Sequence, residues 1–451
     1  MEITHSSIGV ELEFLIGIAE HDSPMNTPAR FQSGGSPLVL PTNVRRCENA
    51  LPHVRKQLQH VIDQALSRLN QQGDRVIKSE TEALGDPELL HLRPYTGWSI
   101  GTDPSFTIPQ EIQDTEPYID EYSWFPAEIS SPALFATEAS WNEIRAVVQA
   151  IKDEFWLITP PDAGMHFHYG HGKAYIPFAQ LRRIAAFLFA VDPIIVQLHP
   201  EFRRANGSSL SNRLYSRLAH GRPATDISRE IGARDIEQAG EDPHRQTIPT
   251  SFPMPFSRPV YERTPDLVIP IARGMLIGYT FIEEIFRSSG YPQDNKGEAR
   301  PLDIPAAVHE ILQSPNATTV AELMRFNADT GDRPAYSFRS YTLGLYKRMI
   351  RSNGEINAGF QNKRTIEFRQ MASTMEPEEV VAHGNIVVQL CEFAAEAPLS
   401  DFWKVVLDCT VAEYTGDWFD VFDLLAELSL VPEAHVLKNA VVRFRGEAIS
   451  G

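Results

Sequence analysis

The sequence predicts an α+β protein, with a mostly antiparallel sheet and helices packed on one of its faces. Two observations carry that prediction. Five short segments alternate apolar and polar residues with a period of two, and several longer segments carry apolar residues at helical spacing.

Taken in order, the first strand is "VELEF", where Val10, Leu12 and Phe14 share one face and Glu11 and Glu13 the other. The stretch near 20–45 is rich in Pro, Gly and Ser and predicts a loop insertion. A helix follows in "VRRCENALPHVRKQLQHVIDQALSRLNQQG", with Leu51, Val54, Leu58, Val61, Ile62, Ala65 and Leu69 along one stripe and Gly73 as its stop. "WSIGTDPS" sets Trp98 and Ile100 against Ser99, Gly101 and Asp103. "AEISSP" sets Ala127 and Ile129 against Glu128 and Ser130, and "MHFHY" sets Met165, Phe167 and Tyr169 against His166 and His168. "PFAQLRRIAAFLFAVDPIIVQLHPEF" reads as a helix kinked or broken at Asp192-Pro193. From Arg222 to Pro265 prolines and charges show no clear period, which predicts an extended insertion of the lid or binding-loop kind.

The last strand, "TIEFR", opposes Ile366 and Phe368 to Glu367 and Arg369. Two helices close the chain. "MEPEEVVAHGNIVVQLCEFAAEA" has acids in its first turn and Ser373 or Thr374 as candidate caps. "DWFDVFDLLAELSL" carries Trp418, Val421, Phe422, Leu425 and Leu428 on one face, which reads as core. These elements divide into a catalytic domain over 1–395, with loop insertions near 20–45 and 222–265, and a helical extension over 396–451 packed on it.

Composition narrows the function. A net charge of -18 argues against a nucleic-acid groove and against an anionic membrane surface. The three cysteines, Cys47, Cys391 and Cys409, are far apart and form no CxxC pair, which excludes zinc-finger and disulfide frameworks. The stretch "MEITHSSIGVELEFLIG" lacks the basic-then-apolar pattern of a signal peptide. "IAAFLFAVDPIIVQL" is too short and too polar at its centre to span a bilayer. The expectation is a cytoplasmic protein.

The alternation places Glu, His, Asp and Arg on one sheet face, where solvated strands would favour Thr, Lys and Ser. That composition points to a shared active site. Clustered carboxylates repel one another unless cations bind them, and oxygen-rich ligand sets select magnesium or manganese over zinc. Glu11, Glu13, Glu128 and Glu367 are therefore candidate metal ligands, and hard cations so held commonly take phosphate oxygens as further ligands. The HxH pair by itself suggests zinc. No Glu follows it at cupin spacing, it lies mid-chain after ExE where an amidohydrolase barrel would place HxH on its first strand, and HExxH is absent. Neither a P-loop nor a convincing Rossmann glycine motif is present.

The order "GVELEF", Trp98 with Asp103 and Ser105, "AEISSP", "GMHFHYG" and "RTIEFRQ" resembles the putative amidoligase family of glutamine synthetase and glutamate-cysteine ligase-like enzymes. The resemblance implies a sheet of the glutamine synthetase catalytic type, curved around the site with helices on its outer face. It also implies ATP-dependent amide formation through an acyl phosphate, with Mg2+ (or Mn2+). Carried over, Glu11, Glu13, Glu128 and Glu367 hold metal, and Arg369, Glu128 and His166 act in catalysis. His168, Arg364, Arg213 and Asp103 contact ATP. Arg203 and Arg204 compete with Arg213 for one phosphate-contacting position. The substrates would be small-molecule or peptide carboxylates and amines. Two alternatives stay open: a metal-dependent hydrolase using the HxH strand, and an inactive ligand-binding member of the fold.

Overall fold

The computed structural model describes residues 6–19, 26–32, 34–40, 50–204, 209–231, 302–326, 333–342, 363–415 and 419–449. The chain divides into two compact units. One comprises residues 1–168 and 371–384, the other 169–370 and 385–451. The boundary predicted at 395 therefore falls inside the second unit.

Unit 1 is built on one long strand, β1 (Ser7–Ala19). Its apolar positions Val10, Leu12 and Phe14 are at most 1% exposed, as the alternation predicts. After β2 (Leu38–Val39) comes α1 (Leu51–Arg68), which buries Val54, Leu58, Val61, Ile62 and Ala65. The predicted stripe is right at its centre. The described helix begins at Leu51, residues 41–49 lying outside the described residues, and Pro52 suits a first turn whose N–H groups have no intrahelical acceptor. Next are β3 (Ser99–Thr102), β4 (Ser123–Ser130), β5 (Leu134–Phe135), α2 (Glu138–Glu154), β6 (Leu157–Ile158) and β7 (Gly164–Gly170). All four alternating segments of this unit are strands. Their order across the sheet is β3-β4-β1-β7, with β2, β5 and β6 also pairing with β1. The pairings of β1 with β4, β5 and β6, and of β3 with β4, are antiparallel; β2 runs parallel to β1.

The helix α2 was not anticipated. Thr137 caps it by accepting from the Ser140 amide, and Trp141, Ile144, Val147, Val148 and Ile151 form its buried stripe. Gly384 meets this layer at close range. A Cβ there would lie 2.7 Å from Trp141 and 3.1 Å from Phe167, so only glycine allows that approach.

The polar face of β1 does not stay polar. Beyond Glu13 it continues through Leu15, Gly17 and Ala19. Leu15 packs with Phe106, Ile119, Ile158 and Ala163, and Ala19 with Tyr122 and Trp156. Phe31, from the Pro- and Gly-rich stretch, stacks on Trp156 with centroids 4.9 Å apart and on Trp124 at 5.8 Å. The described part of that insertion is thus packed onto the sheet by an aromatic anchor.

In unit 2, α3 (Phe178–Ile195) continues through Pro193 rather than breaking there, and the Val196 amide donates back to the Asp192 carbonyl. The four-residue bonding pattern resumes once the proline, which lacks an N–H, is passed. The helices α4 (Ile304–Leu312), α5 (Pro377–Glu396, from Asn385 onward in this unit) and α6 (Leu399–Thr415) follow, with β8 (Tyr336–Ser337) and β9 (Ile366–Ala372, to Gln370 in this unit) between them. Strands β8 and β9 are antiparallel, Tyr336 facing Phe368 and Ser337 facing Glu367. α6 packs on α3 and α4.

Of the predicted extended insertion, residues 224–231 are helical, burying Ala224, Ile227 and Ile231; the remainder, from 232, lies outside the described residues. Trp418 and Cys47 also lie outside them, and Val421–Glu427 forms the predicted late helix. Among the described residues no helix is long and apolar enough to cross a membrane.

Candidate metal and ligand site

The register of unit 1 determines which polar groups become neighbours. Glu13 lies opposite Glu128, Glu11 opposite Ser130, and Gly101 opposite Glu128 on its other side. A row Glu13–Glu128–Gly101 therefore runs across three strands, and Asp103 follows just past the end of β3. One carboxylate oxygen from each of Glu13, Asp103 and Glu128 lies within 4.8 Å of the others. Gly101 keeps the row open: a Cβ there would meet nothing nearer than the Glu128 carbonyl, at 3.9 Å.

The two histidines flank the same strand. His168 Nε2 lies 3.0 Å from Glu11 Oε1. His166 Nδ1 lies 3.6 Å from Glu11 Oε2 and 3.9 Å from Glu13 Oε1. Both imidazoles are buried, as is Glu13. Glu11 thus stands between two rings that sequence alone would pair on a single metal.

Several groups that the sequence reading passed over hold this arrangement. Glu13 Oε2 accepts from the Gly164 amide at 2.5 Å, and Ser373 Oγ donates to the Glu13 carbonyl at 2.5 Å. Ser373 is thereby occupied, and Thr374 takes up the start of the following helix, accepting from the Glu376 amide. Ser131 Oγ accepts from the Val10 amide and the Ser131 amide donates to the Val10 carbonyl, which pins β1 to the end of β4 one residue before Glu11. Behind β3, Trp98 Nε1 donates to Glu143 at 2.8 Å. Arg75 makes a two-pronged pair with the same carboxylate, at 2.6 and 2.8 Å. The doubled "SS" before Pro132 is the one local signal for Ser131. The Trp98–Glu143–Arg75 contact joins residues too distant in sequence to be seen.

The other predicted residues belong to unit 2. Glu367 and Arg369 form an ion pair on β9, as their i, i+2 spacing allows. Arg364 has a left-handed backbone (φ 56°). Its guanidinium lies 4.6 Å from the Tyr175 ring centre, and its Nη1 donates to the Lys173 carbonyl. Arg213 is 2% exposed. Its Nε and Nη2 donate to the two oxygens of Glu413 at 2.8 and 2.9 Å, and its guanidinium lies over Phe189. Arg213 is thus held in an internal ion pair with Glu413. Arg203 is equally buried and donates to main-chain carbonyls of β9. The Arg204 side chain lies outside the described residues.

Three carboxylates lie in reach of one another, two histidines flank a fourth, and an open glycine lies beside them; oxygen donors so grouped could hold a hard cation. Residues 5–209 match the family described as "Putative amidoligase enzyme". The family resemblance carried by the sequence motifs is thus shown over that span, which contains β1, β3, β4 and β7; "RTIEFRQ" lies beyond it. Among curated proteins and solved structures, none matches the chain.

Proposed function

We propose that the protein is an ATP- and magnesium-dependent carboxylate–amine ligase of the glutamine synthetase type, working through an acyl phosphate. The observation that carries this reading is the cluster of Glu13, Asp103 and Glu128 oxygens within 4.8 Å of one another, inside the stretch that matches the amidoligase family. Such a cluster fits Mg2+ or Mn2+, which favour oxygen donors, better than zinc. A bound cation would neutralise phosphate charge while ATP reacts.

Glu13, Asp103 and Glu128 would hold the cation, with Glu11 beside them. The Gly164 amide orients Glu13. His166 and His168, beside Glu11, would contact the phosphate oxygens. Glu367 and Arg369 are assigned by the resemblance alone, as a further metal-binding carboxylate and as the guanidinium that stabilises charge on the transferring phosphoryl group. An oxygen of the substrate carboxylate bonds to the γ-phosphorus as its bond to the bridging oxygen breaks, and ADP leaves. The amine nitrogen then bonds to the acyl carbon, phosphate leaves with the electron pair, and the surplus amine proton passes to a carboxylate, for which Glu128 is the candidate.

The test uses the full-length protein with Mg2+, ATP, hydroxylamine and a panel of amino-acid and peptide carboxylates. Hydroxamate appearing in step with ADP is the expected result. Absence of ATP binding at millimolar Mg2+, together with tight zinc binding that His166→Ala or His168→Ala abolishes, would overturn the reading in favour of a zinc hydrolase.

A further inference from the structure

The buried face of β9 alternates with the face that carries Glu367 and Arg369. Ile366, Phe368 and Gln370 point inward, and Gln370 is the one polar residue among those three. It is 3% exposed, and its Nε2 donates to Asp192 Oδ1 at 2.6 Å. Asp192, 1% exposed, also accepts from Ser211 Oγ at 2.5 Å and from the Arg213 amide at 3.0 Å. A polar key on an otherwise apolar face specifies register, because a one-residue slip would bury Arg369 and strand the Asp192 oxygen.

Arg203 completes the arrangement. It is 2% exposed, and its Nη2 donates to the Arg369 carbonyl at 2.9 Å and its Nε to the Gln370 carbonyl at 3.5 Å. On the other side the Arg369 amide donates to Ala335, whose own amide is bonded to Leu210. The main chain of Arg369 is therefore held at both its N–H and its C=O, while the side chain stays partly exposed beside Glu367. Of the arginines that compete for a phosphate contact in the sequence, this one points its donors at protein carbonyls.

We infer that Arg203, with the Asp192–Gln370 pair, is a positioning residue: it fixes the register of β9 so that Arg369 presents its guanidinium to the transferring phosphoryl group. The inference rests on the ligase reading for what Arg369 does, and on geometry for how Arg203 acts.

A double-mutant cycle tests it, with MgATP as the probe. Arg203→Met should weaken MgATP binding about tenfold, the size expected for losing hydrogen bonds from a charged donor. In an Arg369→Met background the same change should move it by less than about twofold, because Arg203 acts through Arg369. Arg203→Lys, which keeps a charge and one donor, should recover part of the affinity, and it replaces Met in the cycle if Arg203→Met does not fold. Equal losses in both backgrounds, or no loss in the first, would overturn the inference. Hydrogen exchange over residues 366–372 separates it from the ligase reading. If the wild type binds no MgATP, the ligase reading fails by itself. The clamp then stands only if β9 amides exchange faster in Arg203→Met, and falls if they do not.

Discussion

Glu143→Ala should be among the most destabilising single changes in unit 1, and it should reach the site through β3. The carboxylate is fully buried and accepts four hydrogen bonds: from Arg75 Nη1 at 2.8 Å and Nη2 at 2.6 Å, from the Gly73 amide at 2.8 Å and from Trp98 Nε1 at 2.8 Å. Removing it strands the Arg75 guanidinium, a loss of about 3–5 kcal/mol for a broken buried pair. The amide and the indole add about 1–3 kcal/mol each if nothing replaces the acceptor. Water entering the space left by the side chain offsets part of that, so the expected loss is about 4–6 kcal/mol. Glu143→Gln keeps one acceptor oxygen and loses the charge, and should cost about half as much. Urea unfolding followed by circular dichroism measures both. Trp98 immediately precedes β3, so Mn2+ affinity at the Asp103 end of that strand should fall alongside stability. A midpoint shift equivalent to less than about 1 kcal/mol for Glu143→Ala would refute the reasoning, since even one stranded donor should cost that much.

Glu13→Gln and Glu128→Gln should each lower Mn2+ affinity about tenfold or more while leaving the melting temperature unchanged or raised, because the change relieves repulsion within the row; titration by calorimetry and a melting curve give both values. Gly384→Ala should destabilise by about 1–3 kcal/mol, the overpacking against Trp141 and Phe167 outweighing the roughly 1 kcal/mol gain in helix propensity; a stabilised variant would refute the close approach. His383 is buried and its pKa is lowered to about 4 by desolvation, so it folds neutral. The unfolded chain takes up this proton near pH 6.5. The stabilisation is complete above that pH and is lost as pH falls toward 4, at about 1.4 kcal/mol per unit. Denaturant midpoints between pH 7 and 4 should fall more steeply in the wild type than in His383→Leu, and parallel slopes would remove His383 from the account.

The strands were legible because a period of two needs only local sequence. "VELEF", "AEISSP" and "MHFHY" each name their own buried face, and the facing of Glu13 and Glu128 follows once those faces are paired. What pairs with what across long sequence separations was not legible. Nothing near Arg213 announces Glu413, and nothing near Trp98 announces Glu143 and Arg75, so three neighbouring arginines looked equivalent until burial sorted two of them. The segment at Asp192-Pro193, kinked or broken as read from the sequence, is one helix for a related reason. Proline does remove one hydrogen bond, but Asp192 gains three from Ser211, Arg213 and Gln370, and tertiary bonds of that number can hold a helix through a proline. The Pro- and Gly-rich composition near 20–45 gave no sign of strand β2, nor that Phe31 stacks on two tryptophans.

Glu11 ties the two histidines to the carboxylate row. Here the space between the rings holds the Glu11 carboxylate, with one oxygen 3.0 Å from His168 Nε2 and the other 3.6 Å from His166 Nδ1. A carboxylate flanked in this way has its orientation set by its neighbours, much as outer-shell partners orient a metal ligand. Under the proposed ligase reading, the histidines would orient the carboxylate row rather than share a metal between them. The strand gives the same direction to the site. Past Glu13 the face turns apolar at Leu15 and is packed with Phe106, Ile158 and Trp124. Toward the other end, β1 places Gly9 and Ser7 on the same face by its alternation, and Gly101 leaves the row open on the β3 side. The carboxylate row is therefore bounded by packed core at Leu15 and continues toward Ser7 and Gly9 at the other end.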